Sequence, residues 1–490
     1  MQIRPVRTAV ELPNVGNLAA CVAETHAEAP QSVLKPSSAL HACLYGYQRT
    51  AATFLADRAF AYLADEPGTG KSASSIGACD LLGLTKIIVF APPAVIPHWV
   101  REFNTKSLFK RRVLGVYSGK QLGQINDFDV IVISYDLAAR NPEILTRLWD
   151  VAILDEAQAV KNPEAKRTKA LLGRNCNNDG LLIFAERVWA LTASPAPNHP
   201  GEMWALIHAF VADKIPFGEL PYYEFCEQYS YLIQLPRGGI KISGGRNLDT
   251  LRAALAPYLL RRLKVDVLSD LPGLRISMIP LNISLTAEIR SLEGQEEFKH
   301  VRKMLRDMAS STNGNLVISG ELATYLRYVE YLKTGTVAGL LIEELRSSEH
   351  KVVVFVTHHA AGDQMMELLS EFVPVRIVGG QSAKAREDAI TRFQNDPAVR
   401  VCVAAIGAAS VGITLTAASE AVFLSSHWTP EINMQAVQRL HRIGQANNVS
   451  ARFFTLANSA DQLVMETLVR KTEVIAELFD SSNYGNSACN

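Results

Sequence analysis

The run DEPGTGKS at 65–72 holds residue types that can grip a polyphosphate. It follows the apolar stretch FAYLA at 60–64 and precedes small, helix-compatible residues. In such a loop Gly68, Thr69 and Gly70 let backbone N–H groups wrap phosphate oxygens, Lys71 reaches the β- and γ-phosphates, and Ser72 ligates Mg2+. Asp65 stands where the formal pattern writes its first glycine, and a plain glycine-rich turn before a helix is the competing reading. Further on, VAILDEAQ at 151–158 ends an apolar run in two carboxylates. Asp155 is placed to hold Mg2+ and Glu156 to orient or deprotonate an attacking water. Adjacent acids at a strand end are often only solvated turn residues; it is the phosphate loop upstream that gives this pair its chemical reading.

These residues need elements to position them. Short apolar runs occur at 87–93 (IIVFAPP), 130–134 (VIVIS), 151–157 (VAILDEA) and 188–194 (VWALTAS), each bounded by polar or turn residues. A second set appears at 351–359 (KVVVFVTHH), 373–380 (VPVRIVGG), 400–407 (RVCVAAIG) and 420–425 (EAVFLS). Continuous apolar runs separated by helix-compatible stretches predict parallel strands buried on both faces, hence an α/β fold with two sheets. Between the sets, 249–268 and 320–348 read as helices.

The bulk composition agrees with a globular chain. At 490 residues it exceeds what one core usually organises, and 48% apolar against 20% charged residues excludes a mainly disordered protein. No run of 18 or more uninterrupted apolar residues is present, so a soluble, unexported protein with no membrane partner is expected. The seven cysteines are scattered without a C-x-x-C pair, which points to reduced thiols and to neither a zinc site nor a disulfide framework. The formal net charge is zero, so any nucleic-acid-binding surface must be local.

Taken in order, DEPGTGKS at 65–72, DEAQ at 155–158, LTASPAPN at 191–198 and QAVQRLHRIGQ at 435–445 resemble the helicase motifs of SNF2-type ATPases of superfamily 2. The resemblance runs from LYGYQR at 44–49 to SADQ at 459–462, and the long R-x-H-R-x-G-Q element is its most specific part. Within the family the wording is nearest the annealing-helicase-like branch, carried by YLLRRLKVDVLSDLP at 258–272, VVVFVTHH at 352–359, AREDAITRFQ at 385–394 and the segment 420–445. No accessory fork-recognition domain of that branch is evident. Ala193 and Ser194 stand where the family usually writes Gly-Thr, and Gln158 where it writes His.

The resemblance implies two RecA-like parallel-sheet lobes with helical insertions between them, using ATP and Mg2+. It divides the chain into an arm at 1–40, an ATP-binding lobe at 41–265, a helical insertion at 266–350 and a second lobe at 351–490 with a C-terminal helix. It gives Gln48 the role of adenine recognition, Arg439 and Arg442 that of arginine fingers on the γ-phosphate, and Gly412 a place in the segment coupling the second lobe to nucleotide and backbone. Arg261, Arg262 and Lys264 become candidates for phosphate contacts, with a solvated or interlobe salt-bridge role as the alternative, and the basic clusters at 166–174 and 300–306 read first as solvated helix faces. The strand-end loops at 91–99 and 357–359 are expected to touch a nucleic-acid backbone. The expected partner is double-stranded or branched DNA, and the expected state a monomer with unspecified protein partners. The expected location is cytoplasmic, nucleoid-associated, or the host cytoplasm for a viral protein. Three functions stay open: a duplex DNA translocase, a strand-separating DNA or RNA helicase, and a nucleic-acid-binding scaffold with a degenerate motor.

Overall fold

The protein is seen here as a computed structural model that describes residues 44–142, 147–197, 199–234, 239–243, 245–268, 271–284, 286, 289, 320–409, 413–427 and 430–466. The expected arm at 1–40, Gly412, the basic cluster at 300–306 and the chain beyond 466, where a C-terminal helix is expected, lie outside the described residues. The chain divides between residues 269 and 270 into two compact units.

The first unit is built on seven parallel strands. They are β1 (Phe60–Leu63), β2 (Ile87–Phe90), β3 (Val113–Val116), β4 (Val130–Ile133), β5 (Val151–Asp155), β6 (Val188–Leu191) and, after an antiparallel hairpin of β7 (Tyr231–Gln234) and β8 (Ile240–Ser243), β9 (Leu259–Leu260). Their order in the sheet is β3-β4-β2-β5-β6-β1-β9. β1, β2, β4 and β6 are buried along their whole length, which is why these strands read as unbroken apolar runs rather than alternating ones. Helices at Gly46–Ala56, Lys71–Leu81 and Ile96–Lys106 precede or follow these strands. The last buries Ile96, Trp99 and Phe103, residues three and four apart on one face.

The 249–268 segment departs from the helix expected there. A helix covers only Leu248–Leu255. Pro257 lacks an N–H and its ring clashes with the preceding turn, so the helix stops. The residues after it extend instead along the open edge of β1, where the Tyr62 and Ala64 N–H groups donate to the Tyr258 and Leu260 carbonyls, each at 2.7 Å. A short helix, Lys264–Val267, follows.

The second unit is a six-stranded parallel sheet in the order β10-β15-β14-β11-β13-β12, with β10 at Leu274–Leu281, β11 at Val352–Val356, β12 at Val375–Ile377, β13 at Val401–Ala405, β14 at Glu420–Phe423 and β15 at Val449–Leu456. The helix Gly320–Arg346 forms over the span read as helical from the sequence. β10 lies in the stretch 266–350 expected to be a helical insertion; as a sheet-edge strand it is mostly exposed or half-buried and so lacks the unbroken apolar run of the central strands. At the centre, the Phe423 ring stacks between Phe355 and Phe453, at centroid distances of 4.6 and 4.1 Å. Among the described residues no helix is long and apolar enough to cross a membrane.

Candidate functional site

In an open parallel sheet, ligands bind outside the carboxyl ends of the strands. The first unit places its reactive residues there. The chain leaves β1 into the loop 64–70, whose Gly68 and Gly70 have φ of 86° and 84°, in the left-handed region that only glycine enters at little cost. Gly70 caps the helix Lys71–Leu81, so the first N–H groups of that helix lie next to the loop. A Cβ on Gly70 would sit 2.3 Å from Gln48 Nε2, so a side chain there would push the Gln48 amide off its bond to Thr69 and would also strain the left-handed backbone.

Gln48 explains that close approach. It is buried on the helix Gly46–Ala56, accepts from the Tyr45 N–H at 3.2 Å and donates to the Thr69 carbonyl at 3.0 Å. Tyr47 Oη donates to the same carbonyl at 2.8 Å. The expected adenine-reading side chain therefore touches the phosphate loop itself. Lys71 Nζ donates to the carbonyls of Asp65 (2.7 Å) and Glu66 (3.3 Å). Burial pulls the Lys71 ammonium below its ordinary pKa, while the charges of Glu156, Asp65 and Asp155 push it back up. The loop and the acid pair thus share one electrostatic environment.

The acid pair sits at the end of β5, two strands from β1 with β6 between them. Asp155 Oδ2 accepts the Trp99 indole N–H at 2.7 Å, and its Oδ1 accepts the Glu156 N–H at 3.1 Å. Tyr135 Oη donates to the Asp155 carbonyl at 2.8 Å. Burial, and then the neighbouring Glu156, push the Asp155 carboxyl up to about 7, against the pull of the Trp99 bond and Lys71. A buried carboxylate crowded by a neighbouring acid is a donor whose cost a divalent cation relieves, so Asp155 fits Mg2+. Glu156 has φ of 52°, a left-handed conformation that costs a non-glycine residue roughly 1–3 kcal/mol and recurs at functional sites. Its Oε2 accepts from Gln158 Nε2 at 2.7 Å. Gln158 Oε1 in turn accepts from Thr192 Oγ1 at 2.6 Å, and Thr192 Oγ1 accepts the Ser194 N–H at 3.0 Å. Gln158 and Ser194, two departures from the family wording, therefore form one chain of hydrogen bonds.

Several residues had no signal strong enough to be assigned from sequence. Trp99 belongs to a stretch expected to meet a nucleic-acid backbone, yet it is fully buried and serves Asp155. Arg261 and Arg262, candidates for nucleic-acid phosphates, turn inward instead. Arg261 donates to the carbonyls of Ala64 (3.0 Å) and Ala193 (2.8 Å). Arg262 forms an ion pair with the buried Asp65 carboxylate and donates to the Tyr47 carbonyl at 2.7 Å. The ion pair of Arg262 lies within the first unit, whereas the alternative expected is a solvated or interlobe salt-bridge role. A clue lay in the sequence: a carboxylate closing the apolar run 60–64 needs a buried cation, and the pair RR closes another apolar run at 258–260.

In the second unit Arg439 and Arg442 stand in the turns after the helix Pro430–Val437. Arg439 Nε donates to the Gln435 carbonyl (3.1 Å), Arg442 Nη1 to that of Ile413 (3.3 Å). Gln445 is buried and donates to the carbonyls of Ala418 (2.8 Å) and Leu440 (3.1 Å), which fixes the turn that carries both arginines. The loop at 357–359 follows β11. There the buried Glu330 carboxylate accepts the N–H groups of Thr357 (2.7 Å) and His358 (3.0 Å).

A parallel sheet whose carboxyl edge carries a glycine loop, a lysine and an acid pair defines a phosphate-loop nucleoside triphosphatase. Residues 47–321 match the SNF2-related domain family and residues 336–444 the helicase conserved C-terminal domain. The first match spans more than half of the chain, which belongs to the SNF2 family of helicase-like ATPases. Similar proteins include the DNA annealing helicase and endonuclease ZRANB3 of Bos taurus, 27% identical over 450 residues covering 89% of this chain and 40% of that one. Another is the SWI/SNF-related matrix-associated actin-dependent regulator of chromatin subfamily A-like protein 1 of Xenopus laevis, 28% identical over 424 residues, 85% of this chain and 42% of that one. The chain thus spans about two fifths of the length of these relatives. Among solved structures, the Sulfolobus solfataricus SWI2/SNF2 ATPase core in complex with dsDNA is similar over 89% of this chain and 92% of that one, with 22% identity and a TM-score of 0.42.

Proposed function

We propose that this protein hydrolyses ATP to move along duplex DNA and so remodels protein–DNA or branched-DNA structures. The observation that carries the reading is the meeting of Lys71 with Asp155 and Glu156 in one electrostatic environment at the strand ends of the first unit. Gly68, Thr69 and Gly70 would present backbone N–H groups to the phosphates of ATP, and Lys71 would exchange its bonds to the loop carbonyls for phosphate oxygens. Mg2+, held by Ser72 and Asp155, would neutralise charge on the β- and γ-phosphates. Glu156 would orient the attacking water and accept its proton, held in place through Gln158. Arg439 and Arg442 would stabilise charge on the γ-phosphate in the transition state, a task that suits a planar, permanently charged guanidinium. Gln48 would read the adenine edge while keeping its bond to the phosphate loop.

ATP turnover measured in parallel with duplex, forked and single-stranded DNA and with RNA tests this reading. Strong stimulation by duplex DNA, with triplex displacement and without fork unwinding, is the expected result. Turnover that Lys71→Ala or Glu156→Gln leaves intact would refute the site. Arg442→Ala should abolish turnover while leaving nucleotide binding in place. Efficient fork unwinding would favour the strand-separating helicase, and no turnover on any polynucleotide a scaffold.

A further inference from the structure

The segment that leaves the first unit is fastened to the phosphate loop at five points. β9 pairs in parallel with β1, and the pairing continues past both strand ends: the Ala64 N–H donates to the Leu260 carbonyl (2.7 Å) and the Glu66 N–H to the Arg262 carbonyl (3.1 Å). The Lys264 N–H donates to the Glu66 carboxylate at 2.6 Å. The Arg262 guanidinium makes a two-pronged ion pair with Asp65, with Nε at 3.1 Å from Oδ1. Arg261 bridges the Ala64 carbonyl, at the carboxyl end of β1, and the Ala193 carbonyl, just past β6. Residues 64–66 open the loop that Lys71 closes, and Lys71 itself bonds to the carbonyls of Asp65 and Glu66. The same segment then runs out to the boundary between the units.

We infer that Arg261 and Arg262 are positioning residues of the nucleotide site, holding the opening of the phosphate loop in its binding shape and carrying its state to the chain that leads into the second unit. A buried Asp65 carboxylate without its cation would draw the loop toward other donors, Lys71 first, and so withdraw Lys71 from phosphate. Asp65, which breaks the formal phosphate-loop pattern, is therefore the loop's attachment point rather than a flaw in it. Because N–H groups on both segments are committed to each other, nucleotide that stiffens residues 64–70 also stiffens residues 260–264.

The inference rests on the ATP reading, and the experiment separates the two. Affinity of the full chain for a methylanthraniloyl-ATP analogue is measured for the wild type, Lys71→Ala, Arg262→Gln, Asp65→Asn and the double variant, together with backbone hydrogen exchange with and without analogue. Each single change is expected to weaken the analogue by about tenfold, and the double variant to be no worse than either single. The KM for ATP should rise while kcat at saturating ATP stays within about twofold. In the wild type the analogue should slow exchange in peptides covering 260–268 as well as 64–70. If Arg262→Gln does not fold, Arg262→Lys, which keeps the charge and loses the fork, takes its place in the cycle. A wild type that does not bind, or binds no better than Lys71→Ala, overturns the ATP reading and this inference with it. A wild type that binds, while the single variants match it, their losses multiply in the double, or exchange at 260–268 ignores the analogue, overturns this inference alone.

Discussion

Gln158 shows how a single side chain ties chemistry to its surroundings. Its amide donates to Glu156 and accepts from Thr192, so it holds the Glu156 carboxylate from one side and the end of β6 from the other. The amide does with two atoms what an imidazole could do with its two nitrogens. Gln158→Ala should lower kcat about 10- to 100-fold, the scale seen when a group that orients a reactive residue is lost, with the affinity for an ATP analogue unchanged. Equal loss of affinity and turnover would place Gln158 in binding instead. Asp155 supplies a second test, in metal-free protein. Its carboxyl is raised to about 7 by burial and Glu156, so the folded protein binds that proton more tightly than the unfolded chain, where aspartate titrates near 3.9. This contribution to stability is full below about pH 4 and is lost as the pH rises through about 7. Melting temperatures taken from pH 5 to 8 should fall more steeply for the wild type than for Asp155→Asn; parallel curves would assign the slope to other groups.

At the level of elements, the two ends of β1 differ in kind. Before it, the Gly46–Ala56 helix delivers Gln48; after it, the loop depends on Gly70, whose left-handed backbone and closeness to the Gln48 amide suit glycine. Gly70→Ala combines a left-handed backbone costing about 1–2 kcal/mol with a collision against Gln48. It should abolish nucleotide binding by calorimetry while leaving a folded protein; unaltered binding would mean the loop does not need this shape. In the second unit, the stack of Phe355, Phe423 and Phe453 lies at the centre of the sheet. Phe423→Ala should cost about 3–5 kcal/mol in denaturant unfolding of that unit, since both neighbouring strands, β11 and β15, pack an aromatic ring against it.

On the scale of the whole molecule, each unit has its own sheet and its own hydrophobic core, and the chemistry read from sequence is divided between them. A ligand that binds the folded first unit stabilises it by mass action, by about 2.7 kcal/mol at a hundredfold excess over its dissociation constant. ATP analogue should therefore raise the unfolding transition of the first unit in the wild type and not in Lys71→Ala. The sequence by itself determined the parallel strands and the phosphate loop with its acid pair. Strands buried on both faces must be apolar throughout, and a loop that wraps phosphate needs glycine followed by lysine, so these signals are local. It left illegible what depends on partners far along the chain. The two residues of β9 exist as a strand because β1 offers an open edge, and β10 because β15 does. Only the tertiary structure decided that Trp99 serves Asp155 and that Arg261 and Arg262 turn toward the phosphate loop rather than outward. A buried carboxylate must be satisfied by whichever donor the fold brings to it, and that donor carries no mark in its own neighbourhood of sequence.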